Sequence, residues 1–179
     1  QAIDIAWHRG VGPDVSENEY LQTCLVKTAS LSRMAVRMAA ALAGAGEKIS
    51  TALAQFAEAS GVAFQIQDDV LNVVGREEKY GKEIGGDITE GKRTLMVIYA
   101  LSHLDAEGKA KLLSILNSHT RDQTKIREAV AVLKQSGAVE HAKNLAEEMV
   151  RDSWSRLDGL LPDSEAKRKL AMLADFLVQ

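Results

Sequence analysis

The chain has 179 residues, of which 46% are hydrophobic and 26% are charged, so it is long enough for one domain with a substantial core. The formal net charge of −3 gives no reason to expect nucleic acid as a partner. The single cysteine, Cys24, excludes an intramolecular disulfide and fits a reducing cytoplasm. Because no apolar run reaches the roughly 20 residues of a membrane span and no signal peptide is visible, we expect a cytoplasmic protein that does not span a membrane.

The sequence predicts helix throughout. It has only 2 prolines and is rich in Ala, Leu and Glu, which favour helix. No segment shows the period of a strand, and no repeat of about 20–50 residues is present. We therefore predict an all-α fold.

The first predicted element, residues 1–9, is typical of the end of a helix, which Gly10 and Pro13 terminate. Gln1 and Asp4 share one face of it at i, i+3, and this pair either lines a site or lies on an exposed helix end. The chain starts without an initiator methionine or a helix cap. From this we expect a chain cut from something longer.

The second element is a long helix from the capping box of Ser16 and Glu19 to about Ala43. Lys27 lies on a mainly apolar row of this helix. Such a lysine either extends to the edge of the apolar surface or meets an anion in the interior, and the residues alone leave both readings open. The other members of the row are Tyr20, Cys24, Leu31 and Met34.

The third predicted helix, Glu47 to Val74, carries a polar stripe at i, i+3, i+4 and i+7. The remaining side chains around the stripe are apolar, which predicts a largely buried helix whose stripe faces a cavity. Gly61 is expected to allow close helix packing. The stripe consists of Gln65, Asp68, Asp69 and Asn72.

Two buried carboxylates are costly unless a cation or hydrogen bonds compensate them. Because the stripe offers oxygen ligands alone, we predict Mg²⁺ rather than Zn²⁺. The alternative is an amphipathic helix with a solvated acidic face, since acidic pairs are common on exposed helices.

A glycine-rich loop follows, residues 75–91, and its length exceeds that of an ordinary connection, which favours a functional loop. Lys82, Asp87 and Lys92 lie in or next to it. Lysines beside a carboxylate-bound Mg²⁺ suit a diphosphate, because the metal and the ammonium groups share its charge. The helices predicted beyond this loop read as packing elements: 94–104, 105–116, 120–136, 138–161 and 164–178.

Three segments together resemble the trans-polyprenyl diphosphate synthase family, which includes farnesyl and geranylgeranyl diphosphate synthases. They are YLQTCLVKTASL, FQIQDDVLN and YGKEIGGDITEGKR. Asp68 and Asp69 match the first two positions of the second aspartate-rich motif of the family, DDxxD. Asn72 occupies the last position, which leaves the first two carboxylates as the implied metal ligands.

The resemblance implies an antiparallel helical bundle of the isoprenoid synthase type. It also implies that residues 1–179 are the C-terminal part of a single synthase-like domain, incomplete at the N-terminus. Family members carry a first DDxxD motif, whereas Asp68-Asp69 is the one adjacent aspartate pair in this sequence. We therefore expect no measurable turnover from the chain alone.

The implied activity is the Mg²⁺-dependent condensation of isopentenyl diphosphate with an allylic diphosphate, by a homodimer of the short-chain type. The alternative is a non-catalytic or regulatory subunit that binds diphosphate or a partner synthase subunit. The implied roles are Mg²⁺ binding by Asp68 and Asp69; catalysis and diphosphate binding by Lys27, Lys82 and Lys92; substrate contact by Thr28 and Gln65; and support by Asn72, Asp87 and Asp4.

Overall fold

The computed structural model describes residues 2–9, 14–75 and 84–177, with the backbone alone for residues 2–4. Every regular element in these ranges is helical, which confirms the predicted all-α class. The chain divides into two compact units. Unit 1 comprises Gln1–Thr23 and Asp68–Ala142, and unit 2 comprises Cys24–Gln67 and Lys143–Gln179.

The predicted helices are present, with ends that differ from the prediction by a few residues. The structure adds a π-helical turn and a short helix in the glycine-rich loop, neither of which was predicted. In chain order the elements are α1 (Ala2–His8), α2 (Glu17–Cys24), the π turn (Leu25–Ala29), α3 (Ser30–Leu42), α4 (Glu47–Val74), α5 (Gly86–Thr89), α6 (Leu95–His103), α7 (Ala106–Asn117), α8 (Gln123–Gln135), α9 (Ala138–Asp158) and α10 (Glu165–Leu177).

The π turn changes the side-chain register of the long helix predicted from Ser16 to Ala43. A π turn accommodates one extra residue, which rotates everything beyond it by about 100° relative to an uninterrupted α-helix. Tyr20 and Cys24, before the turn, are buried as predicted. Leu31 and Met34, beyond it, are 68% and 53% exposed, so the single apolar row predicted through Lys27 is wrong past the turn.

Side-chain caps fix where several helices begin. At the start of α2, the Ser16 N–H donates to Glu19 Oε2 at 2.9 Å and the Glu19 N–H donates to Ser16 Oγ at 3.3 Å, which confirms the predicted capping box. The side chains of Thr94, Asp105 and Asp122 each accept one backbone N–H at the start of α6, α7 and α8. For α10 the cap is Ser164, whose hydroxyl accepts from the Lys167 N–H at 3.1 Å.

The core of unit 1 forms where α5, α6, α7 and α8 pack against one another. Large aliphatic side chains fill it, and burying each of them contributes about 1.5–3 kcal/mol. The short α5 contacts both α7 and α8, so the loop that carries Asp87 has a rigid support. The most deeply buried members are Ile88, Leu95, Leu112, Leu116 and Leu133.

The core of unit 2 is built from small side chains, which let helix backbones approach closely. Among the described residues of this unit, eight alanines are at most 8% exposed: Ala29, Ala40, Ala52, Ala54, Ala57, Ala63, Ala146 and Ala174. Phe56 of α4 meets Trp154 of α9 edge-on, with ring centroids 5.5 Å apart. Gly61 of α4 lies directly against Ala29 of the π turn, which confirms the close packing expected of this glycine.

The apolar side chains of α4 are not all buried. Val62, Ile66 and Val70 are at most 2% exposed, but Phe64 is 56% exposed and Leu71 is 43% exposed. The helix is largely buried as predicted, but these two apolar side chains face solvent. In the described ranges, the helices lack the combination of length and hydropathy that crossing a bilayer requires.

Candidate functional site

The acidic pair near the end of α4 is not on a solvated face. Asp69 is only 5% exposed, and its Oδ2 accepts a hydrogen bond of 2.8 Å from the hydroxyl of Tyr20, itself 6% exposed. Asp68 is half-buried. A buried carboxylate needs such donors, because taking its charge out of water costs several kcal/mol. The alternative of an ordinary acidic surface face is thereby disfavoured.

Asn72 connects the glycine-rich loop to α4 through two hydrogen bonds. Its backbone carbonyl accepts from the Gly85 N–H at 2.8 Å, and its side-chain Oδ1 accepts from the Asp87 N–H at 3.0 Å. The side chain is buried, at 6% exposure. The side-chain bond requires an oxygen acceptor at the third position of the motif, and through it Asn72 holds the start of α5 in place.

Two glycines of this loop adopt backbone conformations that side chains disfavour. Gly85 precedes α5 at φ +79°, and a Cβ there would overlap the side chain of Ile126. Gly91 has φ +68°, and its Cβ would lie 2.9 Å from the carbonyl oxygen of Leu116. Glycine is therefore required at both positions for the backbone conformation and for the close approach of neighbouring protein atoms.

Lys92 is held by two carboxylates. Its Nζ donates to Asp87 Oδ1 and lies 3.1 Å from Glu90 Oε2. Burial acts to lower the pKa of Lys92, but the hydrogen bonds and charges of Asp87 and Glu90 outweigh it and raise that pKa. Burial raises the pKa of Asp87, Lys92 partly offsets this, and the negative charges of Glu90 and Asp68 add to the rise.

The predicted substrate contacts of unit 2 form a second group on the π turn and α4. Lys27 and Thr28 belong to the π turn, where Lys27 is exposed. The Thr28 hydroxyl donates to Gln65 Oε1 at 3.1 Å. Sequence reasoning assigned both residues to one site, and the structure brings them into direct contact.

The predicted site residues thus fall into two groups, one in each compact unit. Asp68, Asp69, Asn72, Asp87 and Lys92 belong to unit 1, whereas Lys27, Thr28 and Gln65 belong to unit 2. Lys82 and the side chain of Asp4 lie outside the described residues. The convergence of the three lysines and the carboxylates on one diphosphate stays a prediction.

The donors on α4 fit a hard divalent cation of the Mg²⁺ type. Mg²⁺ in proteins is commonly bound through one or two carboxylates, with waters and substrate phosphates as its other ligands. Asp68 and Asp69 offer that pair, while Asn72 Oδ1 is engaged with the Asp87 N–H. Among the side chains that the structure describes, no three His, Cys, Asp or Glu residues are grouped so that they alone could hold a metal ion.

Two functional partners were missed by sequence reasoning. Tyr20 was placed on an apolar row, but its hydroxyl is the donor that satisfies Asp69. The signal was a tyrosine rather than a phenylalanine at a core position, because a buried phenol needs a partner. Glu90 was not singled out from the sequence, yet it shares Lys92 with Asp87.

Comparison with known proteins identifies the family of the chain. The sequence model of the polyprenyl synthetase family matches residues 1–133, so the chain belongs to that family. The chain is 38% identical over 179 residues to a short chain isoprenyl diphosphate synthase of Methanothermobacter thermautotrophicus, covering 100% of this chain and 54% of that protein. It is 32% identical to a geranylfarnesyl diphosphate synthase of Aeropyrum pernix, of which it covers 55%.

Solved structures show the same fold. A geranylgeranyl pyrophosphate synthetase from Pyrococcus horikoshii matches 100% of this chain with a TM-score of 0.89 at 31% identity, over 53% of its own chain. A polyprenyl synthase from Caulobacter crescentus, solved with calcium and isoprenyl diphosphate, matches 99% of this chain at 27% identity, also with a TM-score of 0.89. The chain spans about half the length of these relatives.

Proposed function

We propose that this chain carries the diphosphate-holding part of a Mg²⁺-dependent prenyl transferase. The reaction condenses isopentenyl diphosphate with an allylic diphosphate and is of the short-chain, farnesyl or geranylgeranyl type. Family membership and the names of the relatives support the reaction class. The arrangement around Asp69 and Lys92 supports the part that this chain takes in it.

In the proposed reaction the allylic C–O bond breaks, and diphosphate departs with the electron pair. The double bond of isopentenyl diphosphate then attacks the allylic cation, and loss of a proton gives a product five carbons longer. Bound Mg²⁺ supplies charge neutralisation for the departing diphosphate. Asp68 and Asp69 hold the metal, and Lys27, Lys82 and Lys92 hold the diphosphate oxygens.

The remaining residues prepare these groups. Asp87 fixes the position of the Lys92 ammonium group, and Asn72 fixes the backbone that carries Asp87. Thr28 and Gln65 present oxygen atoms beside the allylic cation. Asp4 supports the site from α1. A homodimer and a cytoplasmic location complete the proposal, and the single cysteine supports the latter.

The observation that carries the proposal is the buried Asp69 carboxylate, held by Tyr20 in the same compact unit as the Asp87–Lys92 pair. An acidic face in contact with water would not require a buried phenol donor or a lysine paired with two carboxylates. A metal-bound diphosphate requires a carboxylate to bind the metal and an ammonium group to neutralise part of the diphosphate charge.

The test is a condensation assay with isopentenyl diphosphate, geranyl diphosphate and Mg²⁺. We expect no product from the chain alone, and product when it is fused behind a segment that carries a DDxxD helix. Asp68→Ala in that fusion should abolish product, whereas Asp152→Ala, an exposed aspartate of α9, should not. Unchanged turnover of the Asp68→Ala fusion would refute the assigned role. Activity that appears only on mixing with a separate DDxxD chain, and not in the fusion, would favour the regulatory-subunit alternative.

A further inference from the structure

Gly61 is the tightest contact of α4 with the π turn. A Cβ at Gly61 would lie 2.7 Å from the Cβ of Ala29 and 2.8 Å from its Cα. Both positions are buried, and Ala29 is 0% exposed. Separations this short do not occur between real side chains, and the atom met is backbone, so it cannot rotate away.

The residues next to this contact are the ones proposed to meet substrate. Ala29 directly follows Lys27 and Thr28 in the π turn. Gln65, one helical turn beyond Gly61 on α4, accepts the hydrogen bond from the Thr28 hydroxyl at 3.1 Å. The backbone contact and the hydrogen bond therefore hold the same five-residue turn against the same face of α4.

We infer that Gly61 is a positioning residue for the diphosphate site. Because Gly61 has no side chain, the π turn can pack directly against α4, and this packing determines the positions of Lys27 and Thr28. The inference rests on the proposed function for its diphosphate part. The packing of the π turn against α4 can be measured independently of any ligand.

Gly61→Ala is the direct test, with inorganic pyrophosphate and Mg²⁺ as the probe in calorimetry. The added methyl group must push the π turn away from α4, and we expect the affinity for pyrophosphate to fall by roughly ten-fold or more. Gly159→Ala is the matched control. It adds the same atoms in the same compact unit where nothing lies within 4 Å, and the affinity should not change.

Partial relief of the overlap should partly restore the site. Gly61→Ala combined with Ala29→Gly removes the Ala29 Cβ but leaves the Ala29 Cα 2.8 Å from the new methyl group, so pyrophosphate affinity should recover only part of the loss. A double variant that binds no better than Gly61→Ala would overturn the inference. If Gly61→Ala alone does not fold, the double variant is compared with the wild-type chain, and equal affinity in these two chains would overturn the inference.

Comparing Gly61→Ala with and without Lys27 distinguishes a positioning role of Gly61 from a general loss of structure. In a Lys27→Met background the turn has no ammonium group to position, so Gly61→Ala should weaken binding much less than it does in the wild-type chain. An equal loss in both backgrounds would show that Gly61 acts through overall structure and would overturn the inference.

The reactivity of the Cys24 thiol measures the packing of the π turn against α4 in the absence of ligand. Cys24 is the sole cysteine of the chain, directly precedes the π turn and is 4% exposed. Its reaction with a thiol reagent should be slow in the wild-type chain, faster in Gly61→Ala and intermediate in the double variant. Unchanged thiol reactivity and unchanged affinity in Gly61→Ala would overturn the inference. Absence of Mg²⁺-dependent pyrophosphate binding by the wild-type chain would instead reject the proposed function, and with it the diphosphate part of the inference.

Discussion

At the scale of single residues, the decisive feature is how the charged groups at the end of α4 are satisfied. Asp69 is buried and accepts a hydrogen bond from the Tyr20 hydroxyl, and Lys92 is shared by Asp87 and Glu90. The carboxylates of Asp69 and Asp87 are largely buried, and their burial would be costly without such partners. The arrangement keeps the carboxylate of Asp69 and the ammonium group of Lys92 in place before any ligand arrives.

Tyr20→Phe should lower the free energy of unfolding by about 1–3 kcal/mol, because it removes a donor from a buried carboxylate. Urea unfolding of the variant and the wild-type chain measures this difference. Tyr99→Phe, which removes a hydroxyl from another tyrosine of unit 1, is the control and should have a smaller effect. A Tyr20→Phe chain as stable as the wild type would show that Asp69 does not depend on this bond.

Lys92→Met should lower stability by about 2 kcal/mol at pH 8, because Asp87 then stays buried without its cation. The loss should shrink as the pH falls toward 5. Burial already raises the pKa of Asp87 in the folded chain, and removing Lys92 raises it further, so acidification protonates Asp87 in the fold and relieves the variant. In the wild-type chain the pKa of Lys92 is raised, so its contribution is complete below pH about 10 and is lost only as pH rises through the folded pKa.

Urea unfolding at several pH values tests both the loss of stability of Lys92→Met at pH 8 and its decrease toward pH 5. Lys111→Met, which breaks an exposed ion pair with Glu128, is the control and should cost at most about 1 kcal/mol at every pH. A difference between the Lys92→Met and wild-type chains that stays constant from pH 8 to 5 would contradict the role of Asp87.

Residue types and spacing were enough to predict Asp68, Asp69, Asn72 and Lys92 as members of one group, because helical periodicity places the first three on one stripe. The partners were not predictable in this way. Tyr20 lies 49 positions from Asp69 in the sequence, and only the tertiary packing of unit 1 brings them together. The engagement of Asn72 with the Asp87 backbone depends on the conformation of the loop, which the sequence constrains only through its glycines.

At the scale of elements, periodicity predicted the helices well and failed where the helix is not an α-helix. The prediction of one apolar row through Lys27 assumed 3.6 residues per turn without interruption. The π turn breaks this assumption at Leu25–Ala29, and no simple sequence signal marks it. The same turn carries Lys27 and Thr28, and π turns occur frequently at functional sites.

The capping box of α2 offers a test at this scale. The hydrogen bonds that Ser16 donates from its hydroxyl and its backbone N–H lower the pKa of Glu19. A carboxylate with a lowered folded pKa stabilises the chain above its unfolded pKa, and this contribution is lost as pH falls through the folded value. Ser16→Ala should therefore raise the pKa of Glu19 in an NMR titration. Ser155→Ala on α9 should leave it unchanged, and a Glu19 pKa that is the same in all three chains would contradict the capping box.

At the scale of the whole molecule, the all-α class followed from composition and from the absence of strand periodicity, and the family match confirms the resemblance. What composition could not predict is which apolar side chains face solvent. Leu31, Met34, Met38 and Leu42 of α3 are all more than half exposed. Exposed apolar surface of this kind is common at sites of association.

We expect the chain to self-associate through α3, since this row is continuous along one helix. Met34→Lys with Met38→Lys should shift sedimentation toward the monomer, because each lysine places a charge within the apolar row. Ser32→Lys, at an exposed polar position of the same helix, is the control. A wild-type chain that sediments as a monomer at all concentrations would contradict the expectation.

We propose above all that Asp68, Asp69 and the lysines hold a Mg²⁺-bound diphosphate. Calorimetric titration of the chain with inorganic pyrophosphate, with and without Mg²⁺, tests it most directly. We predict binding with Mg²⁺ that disappears without the metal and in Asp68→Ala and Asp69→Ala, but persists in Asp152→Ala. Equal binding with and without Mg²⁺, or binding that survives both substitutions on α4, would contradict the account.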